Sequence, residues 1–183
     1  MTEPRRYVLT GAPGAGKTTL IEALSRRGHL VIREAATDII AARQAKGCAE
    51  PWQEPDFLDA VARLQRHRRL AADAHGGVQI HDRSPLCTLA LARHLGRGVG
   101  PDLAAEIDWI TSTGTYQPLV FLTAPLGFIR RTAARRISYA ESLAFAQVHQ
   151  EVYEAYGHRL VDVPPGSVRD RVALIEKHVP CPV

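Results

Sequence analysis

Cysteine is scarce in this 183-residue chain, and the three present, Cys48, Cys87 and Cys181, are odd in number and widely spaced. That pattern matches neither a disulfide framework nor a C-x2-C zinc site, so reduced thiols are expected. No run of twenty apolar residues occurs, which argues against a membrane-spanning helix. Met1-Thr2-Glu3-Pro4-Arg5-Arg6 leads directly into a β-prone run and a glycine-rich loop, leaving no apolar stretch for a signal peptide; a cytoplasmic location is expected. An internal repeat, a low-complexity segment and an N-K-x-D guanine-reading motif are also missing. What remains is the composition of an ordinary globular protein, 45% hydrophobic and 23% charged, and its length suits one domain over residues 1–183. The net charge of +4 favours anionic ligands, without choosing among nucleotides, nucleic acid and anionic lipid.

Hydrophobic periodicity sets out strands alternating with helices. Strands are expected at Tyr7–Thr10, His29–Ile32, Val78–His81, Leu119–Leu122 and Leu160–Val163. Helices are expected from Thr18 to about Arg27, Ala35 to Lys46, Asp56 to the Gly76-Gly77 pair, Pro85 to Leu95, Pro101 to Thr113, Tyr139 to Tyr156 and Val168 to His178. This alternation predicts an α/β fold, a three-layer α/β/α sandwich around a five-stranded parallel sheet, with ligands bound at the carboxyl ends of the strands.

Between the first strand and first helix stands Gly11-Ala12-Pro13-Gly14-Ala15-Gly16-Lys17-Thr18, a full match to G-x-x-x-x-G-K-[ST] in the strand-to-helix setting the motif requires. A glycine-rich loop lets several backbone N–H groups converge on phosphate oxygens, and the helix N-terminus adds positive charge. Lys17 is placed to reach the β- and γ-phosphates, Thr18 to ligate Mg²⁺, and Thr19 to complete the cradle for ATP, with GTP the alternative.

Hydrophobic residues running into Asp82 have the form of a strand whose terminal acid holds Mg²⁺ directly or through water. Arg83 follows, able to grip a phosphate or to neutralise charge on a phosphoryl group in transfer; the competing reading is a local surface ion pair. Glu34, just past the second strand, belongs at the same sheet edge, either as the group that receives the acceptor's proton or as an acid at a helix N-terminus. Arg130, Arg131, Arg135 and Arg136 fall in a lid-like segment of about 125–140, where Arg131 and Arg135 share a helical face and could close over the phosphates; a solvated basic face is the alternative. The basic helix from Arg63 to Arg69 reads as a solvated face rather than a nucleic-acid or lipid surface. His67, His75, His81 and His149 lack metal-ligand spacing and receive no role, and Trp52 and Trp109 are expected in the core or a pocket wall.

With these residues in view, the chain resembles the small AAA-type P-loop domains grouped with the kinase domain of NadR. The resemblance spans most of the length and rests on Gly11–Thr18 with the helix after it, Arg33-Glu34-Ala35-Ala36, Asp82-Arg83 and Val163-Pro164-Pro165-Gly166. More distantly, Glu34 and Asp82-Arg83-Ser84 are similar to elements of nucleoside and thymidylate kinases. The resemblance implies MgATP binding through Lys17 and Thr18 and phosphoryl transfer to a small hydroxyl or phosphate acceptor. It places the base near Pro164 and the acceptor beside the helix after Asp56, including Gln65. Cys87 stands where it leads one to expect an acid. A nucleotide-dependent binding module and a simple NTPase are the other functions such a chain could serve.

Overall fold

The computed structural model describes residues 3–126 and 138–180. In chain order it begins with β1 (Arg5–Thr10), α1 (Lys17–Arg26), β2 (Leu30–Ile32) and α2 (Ala36–Gln44). A 3-10 turn at Pro51–Gln53 precedes α3 (Phe57–Asp73), β3 (Val78–Asp82), α4 (Pro85–His94) and α5 (Pro101–Ser112). β4 (Tyr116–Thr123), α6 (Tyr139–Ala155), β5 (Arg159–Val163) and α7 (Val168–Glu176) complete the described chain. The strands form one sheet in the order β2-β3-β1-β4-β5, every neighbouring pair parallel.

The sheet's centre explains its sequence. Residues 6–10 of β1 are all buried, as a strand covered on both faces must be. Alternate side chains feed two cores. Tyr7 and Leu9 join Leu20 and Leu24 of α1, Phe121, and Val172 and Ile175 of α7. Val8 and Val120 face Phe57 and Val61 of α3, Leu86 of α4, Leu103 of α5 and Tyr153 of α6. Each fully buried Leu, Ile or Phe side chain contributes about 1.5–3 kcal/mol relative to exposure. Helices therefore cover both faces, giving the expected three layers.

β4 starts three residues before its expected Leu119. Pro118 offers no N–H to the ladder, and the register with β1 shifts between Arg6 and Val8, where the strand passes the proline. At the other end the register is regular: Leu9 lies opposite Asp82 and Phe121, Thr10 opposite Leu122, and Ile32 opposite His81. The loops after β1, β2 and β3 consequently leave the sheet side by side.

Candidate functional site

Gly11 opens the phosphate loop at φ +130°, and a Cβ there would lie 2.3 Å from Thr123 Oγ1 and 2.5 Å from the Thr123 carbonyl. Only glycine allows that approach, which Thr123 seals by donating from Oγ1 to the Thr10 carbonyl at 2.8 Å. Gly16, at φ +76°, turns the chain into α1. Lys17 folds back over the loop, its buried Nζ donating to the Gly11 and Ala12 carbonyls at 2.8 Å each. Burial lowers its pKa to about 7, helped by the nearby Arg83 charge and opposed by Asp82, Glu34 and Cys87.

Arg83, which follows β3, has φ +74° and is the one non-glycine residue at positive φ among the described residues. Its N–H donates to the Leu9 carbonyl at 3.0 Å, so the strand ends hold the strained turn. Arg83 Nε donates to Glu34 Oε1, while Thr37 Oγ1 donates to Glu34 Oε2 at 2.7 Å. The ion pair is not a surface one, since the Arg83 and Glu34 side chains are only 12% and 24% exposed. Burial alone would raise the Glu34 pKa, but the Arg83 charge, then Lys17 and the Thr37 hydrogen bond, outweigh it and bring the carboxyl to about 2. Glu34 therefore sits at the start of α2, bonded to that helix's Thr37, and holds Arg83.

The far side of Arg83 is held by a residue to which the sequence assigned nothing. Its Nη1 is 3.2 Å from Nε2 of fully buried His149, whose Nδ1 is 2.8 Å from the Phe145 carbonyl. A carbonyl only accepts, so Nδ1 carries the proton and Nε2 accepts from Arg83. Burial, with the Arg83 charge, holds the ring neutral by lowering its pKa to about 3. Beside it Cys87 Sγ is hydrogen-bonded to Thr10 Oγ1 at 3.1 Å and to the Tyr153 hydroxyl at 3.0 Å, and Tyr153 also meets Ser84 Oγ at 2.6 Å. Cys87 takes the third helical position of a capping box on α4, its sulfur accepting from the Ser84 N–H.

Lys17, Glu34, Arg83 and Cys87 open onto one cavity of about 890 Å³, with His149 and Tyr153 buried behind them. Pro13, Gly14, Gly16, Lys17, Thr18 and Thr19 line it from the phosphate loop, and Glu34, Asp82, Arg83 and Cys87 from the strand ends. Trp52, Phe57, Gln65, His94 and Phe145 form further wall, with Phe145 and His94 stacked at 4.6 Å between ring centres. Thr88 Oγ1 donates to Gln65 Oε1 at 3.1 Å, which fixes how that amide faces the cavity. Gly11, Ala12 and Ala15 are buried and are not part of this wall; the carbonyls of the first two hold Lys17. Pro164, just past β5, is exposed and is not part of this wall. Arg131 and Arg135, with Arg130 and Arg136, lie outside the described residues.

Two other expectations change. Trp109 is 44% exposed and covers the buried Arg69 guanidinium at 4.0 Å instead of entering the core. The basic helix is not simply a solvated face: Arg69 pairs with Glu106 at 2.8 Å, Arg63 with Asp102 and Arg68 with Asp38. These cations are matched within the chain, which removes the main support for a nucleic-acid or lipid surface on α3. His149, Tyr153 and Arg171 are the residues sequence reasoning missed. Phe145 and His149 stand four apart on one helical face, and Arg171 is a cation near the start of α7, where the helix dipole favours acids; these were the available signals.

Residues 6–171 match the model of a family described as AAA domain, and the chain belongs to that family. Among solved structures it is similar to the NadR protein in complex with NAD and AMP-PNP, with a TM-score of 0.66 and 12% identity, covering 95% of this chain and 49% of that one. It is similar to a deoxyadenosine kinase from M. mycoides, TM-score 0.62 and 15% identity over 94% of this chain and 97% of that one. A thymidylate kinase from Ehrlichia chaffeensis gives a TM-score of 0.62 and 15% identity over 96% and 98%. At these identities the likeness is one of fold: the chain has the architecture of the P-loop nucleoside and thymidylate kinases. No curated protein matches it in sequence.

Proposed function

We propose that the chain is a Mg²⁺-dependent kinase that transfers the γ-phosphate of ATP to a small-molecule hydroxyl or phosphate acceptor. The observation that carries this reading is the single cavity in which the phosphate loop, the Glu34–Arg83 pair and an aromatic-walled compartment meet. Transfer requires both substrates in one enclosure, and most of the catalytic work is positioning and charge neutralisation. The chain contains no asparagine, so an N-K-x-D guanine reader is excluded within it, which favours ATP.

Lys17, released from the Gly11 and Ala12 carbonyls, would turn to the β- and γ-phosphates. Arg83 would face the charge on the transferring group. Glu34, with a pKa near 2, is a weak base, so its part is to accept the acceptor's hydrogen bond and aim its oxygen. The residues suit Mg²⁺: Thr18 and Asp82 both line the cavity, and hydroxyl and carboxylate oxygens are ligands this ion takes beside waters and phosphate oxygens. When bound, the ion would neutralise phosphate charge. Arg131 and Arg135 would add positive charge from their segment, and Pro164 would border the base.

The test is ADP release from MgATP across a panel of nucleosides, nucleoside monophosphates, nicotinamide riboside, sugars and hydroxylated antibiotics. One acceptor should stimulate release, and Glu34→Ala should abolish the stimulation while leaving nucleotide binding in place. Lys17→Ala should lose nucleotide binding or turnover. A flat panel from a chain that binds nucleotide would sink the kinase reading and leave a nucleotide-dependent binding module.

A further inference from the structure

Arg171 stands behind the phosphate loop, on α7 and away from the cavity wall described above. Only 5% exposed, it donates from Nη2 to the Ala15 carbonyl at 3.0 Å, and its Nε is buried without a hydrogen-bond partner. None of the ion pairs among the described residues includes it. A buried cation without a carboxylate is costly in an empty site. Gly16 accommodates it: a Cβ there would come within 2.9 Å of Arg171 Nη1, so the last glycine of the motif leaves room for the guanidinium as well as for the turn.

The atom Arg171 grips suggests why it is there. The Ala15 carbonyl belongs to the same planar peptide as the Gly16 N–H, and in a trans peptide the two point in opposite directions. With the carbonyl fixed on the α7 side, the Gly16 N–H is turned away from α7. That N–H makes no hydrogen bond among the described residues, and Gly16 lines the cavity. A hydrogen bond on the carbonyl also polarises the peptide and strengthens its N–H as a donor.

We propose that Arg171 is a positioning residue for bound polyphosphate: it orients and polarises the Ala15–Gly16 peptide, and the phosphates supply the counter-charge that its buried guanidinium lacks. This rests on the reading of Gly11–Thr18 as a phosphate site, but it does not depend on the chain being a kinase. It predicts an opposition that a simple structural tie between α7 and the loop would not produce. Without nucleotide Arg171 is an electrostatic cost, and with nucleotide it is a gain.

The experiment measures MgADP and inorganic tripolyphosphate binding by titration calorimetry, and nucleotide-free melting temperature, for wild type, Arg171→Met and Arg171→Lys. Arg171→Met should weaken both ligands by roughly ten- to fifty-fold while its nucleotide-free melting temperature holds or rises; Arg171→Lys, keeping charge without the fork, should recover part of the affinity. Affinity in Arg171→Met within about two-fold of wild type overturns the proposal. So does a fall in melting temperature in both variants that accompanies the loss of affinity, the mark of a structural tie. If wild type binds neither ligand, the phosphate-site reading falls, and this inference with it.

Discussion

Arg83 occupies a backbone conformation that costs an L-residue about 1–2 kcal/mol, and three partners keep it there: the Leu9 carbonyl, Glu34 and His149. Glycine would relieve the strain, but it has no guanidinium to present. If His149 holds Arg83 as the geometry indicates, His149→Leu should lower kcat by roughly ten- to a hundred-fold with little change in KM for MgATP. His149→Gln, whose amide oxygen can stand near the place of Nε2, should restore much of the loss, and steady-state kinetics on the acceptor found by the panel would decide. Equal loss in both variants would show that the ring serves packing alone. The sequence exposed Glu34, Asp82 and Arg83 because each is tied to the end of a strand that hydrophobic runs reveal. It hid His149 because the Arg83 partner is 66 residues away and only the fold brings them together.

The helix α6 begins with a reciprocal cap: the Ser138 side chain accepts from the Glu141 N–H at 3.2 Å, and Glu141 Oε2 accepts from the Ser138 N–H at 2.7 Å. Ser138→Ala should destabilise the fold by about 1 kcal/mol, measurable as a shift of the urea midpoint at constant slope. Because α6 carries His149 and Tyr153 into the site, a larger loss of turnover than of stability would show that the cap sets the helix's placement. At this scale most elements were legible, since strands covered on both faces and amphipathic helices follow simple periods. The start of β4 was not, because Pro118 argues against a strand and only the register shift beside β1 accommodates it. Helix ends moved by a residue or two, as at α2, where frayed turns carry little signal. Arg171 escaped because its partner is a backbone carbonyl, which no side-chain pattern announces.

Two buried imidazoles make the whole molecule sensitive to acid. Burial lowers the pKa of His81 to about 3, with the Arg6 and Arg69 charges adding to the effect, and His149 behaves alike. Between about pH 6.5 and 3 these two rings alone let the unfolded chain bind up to two protons that the folded chain refuses, and the His158 pKa, also lowered by burial, acts in the same direction. Stability falls with decreasing pH over that window, by as much as roughly 2.7 kcal/mol per unit where both rings titrate. Glu34 extends the loss below about 4.5, since its native pKa is lowered to about 2. Urea denaturation at pH 7.5, 6.0 and 5.0 should show the midpoint dropping, and His81→Gln should flatten the slope by about one proton. An unchanged midpoint across that range would mean that both rings are protonated in the native state.

The sheet also separates the molecule into two unequal halves. The phosphate loop leads into α1 and is backed by α7, both packed on one core; α3, α4 and α6, which carry the cavity's aromatic wall, pack on the other. β1, β4 and β5 feed both, through residues that alternate between them. Trp52, Gln65 and His94 line the cavity from the second half, away from α1 and α7, so replacing them should change the cavity's shape while leaving the core beneath the phosphate loop in place. A chain built this way is a chassis with an exchangeable front, and new specificities should be selectable from libraries confined to those wall positions.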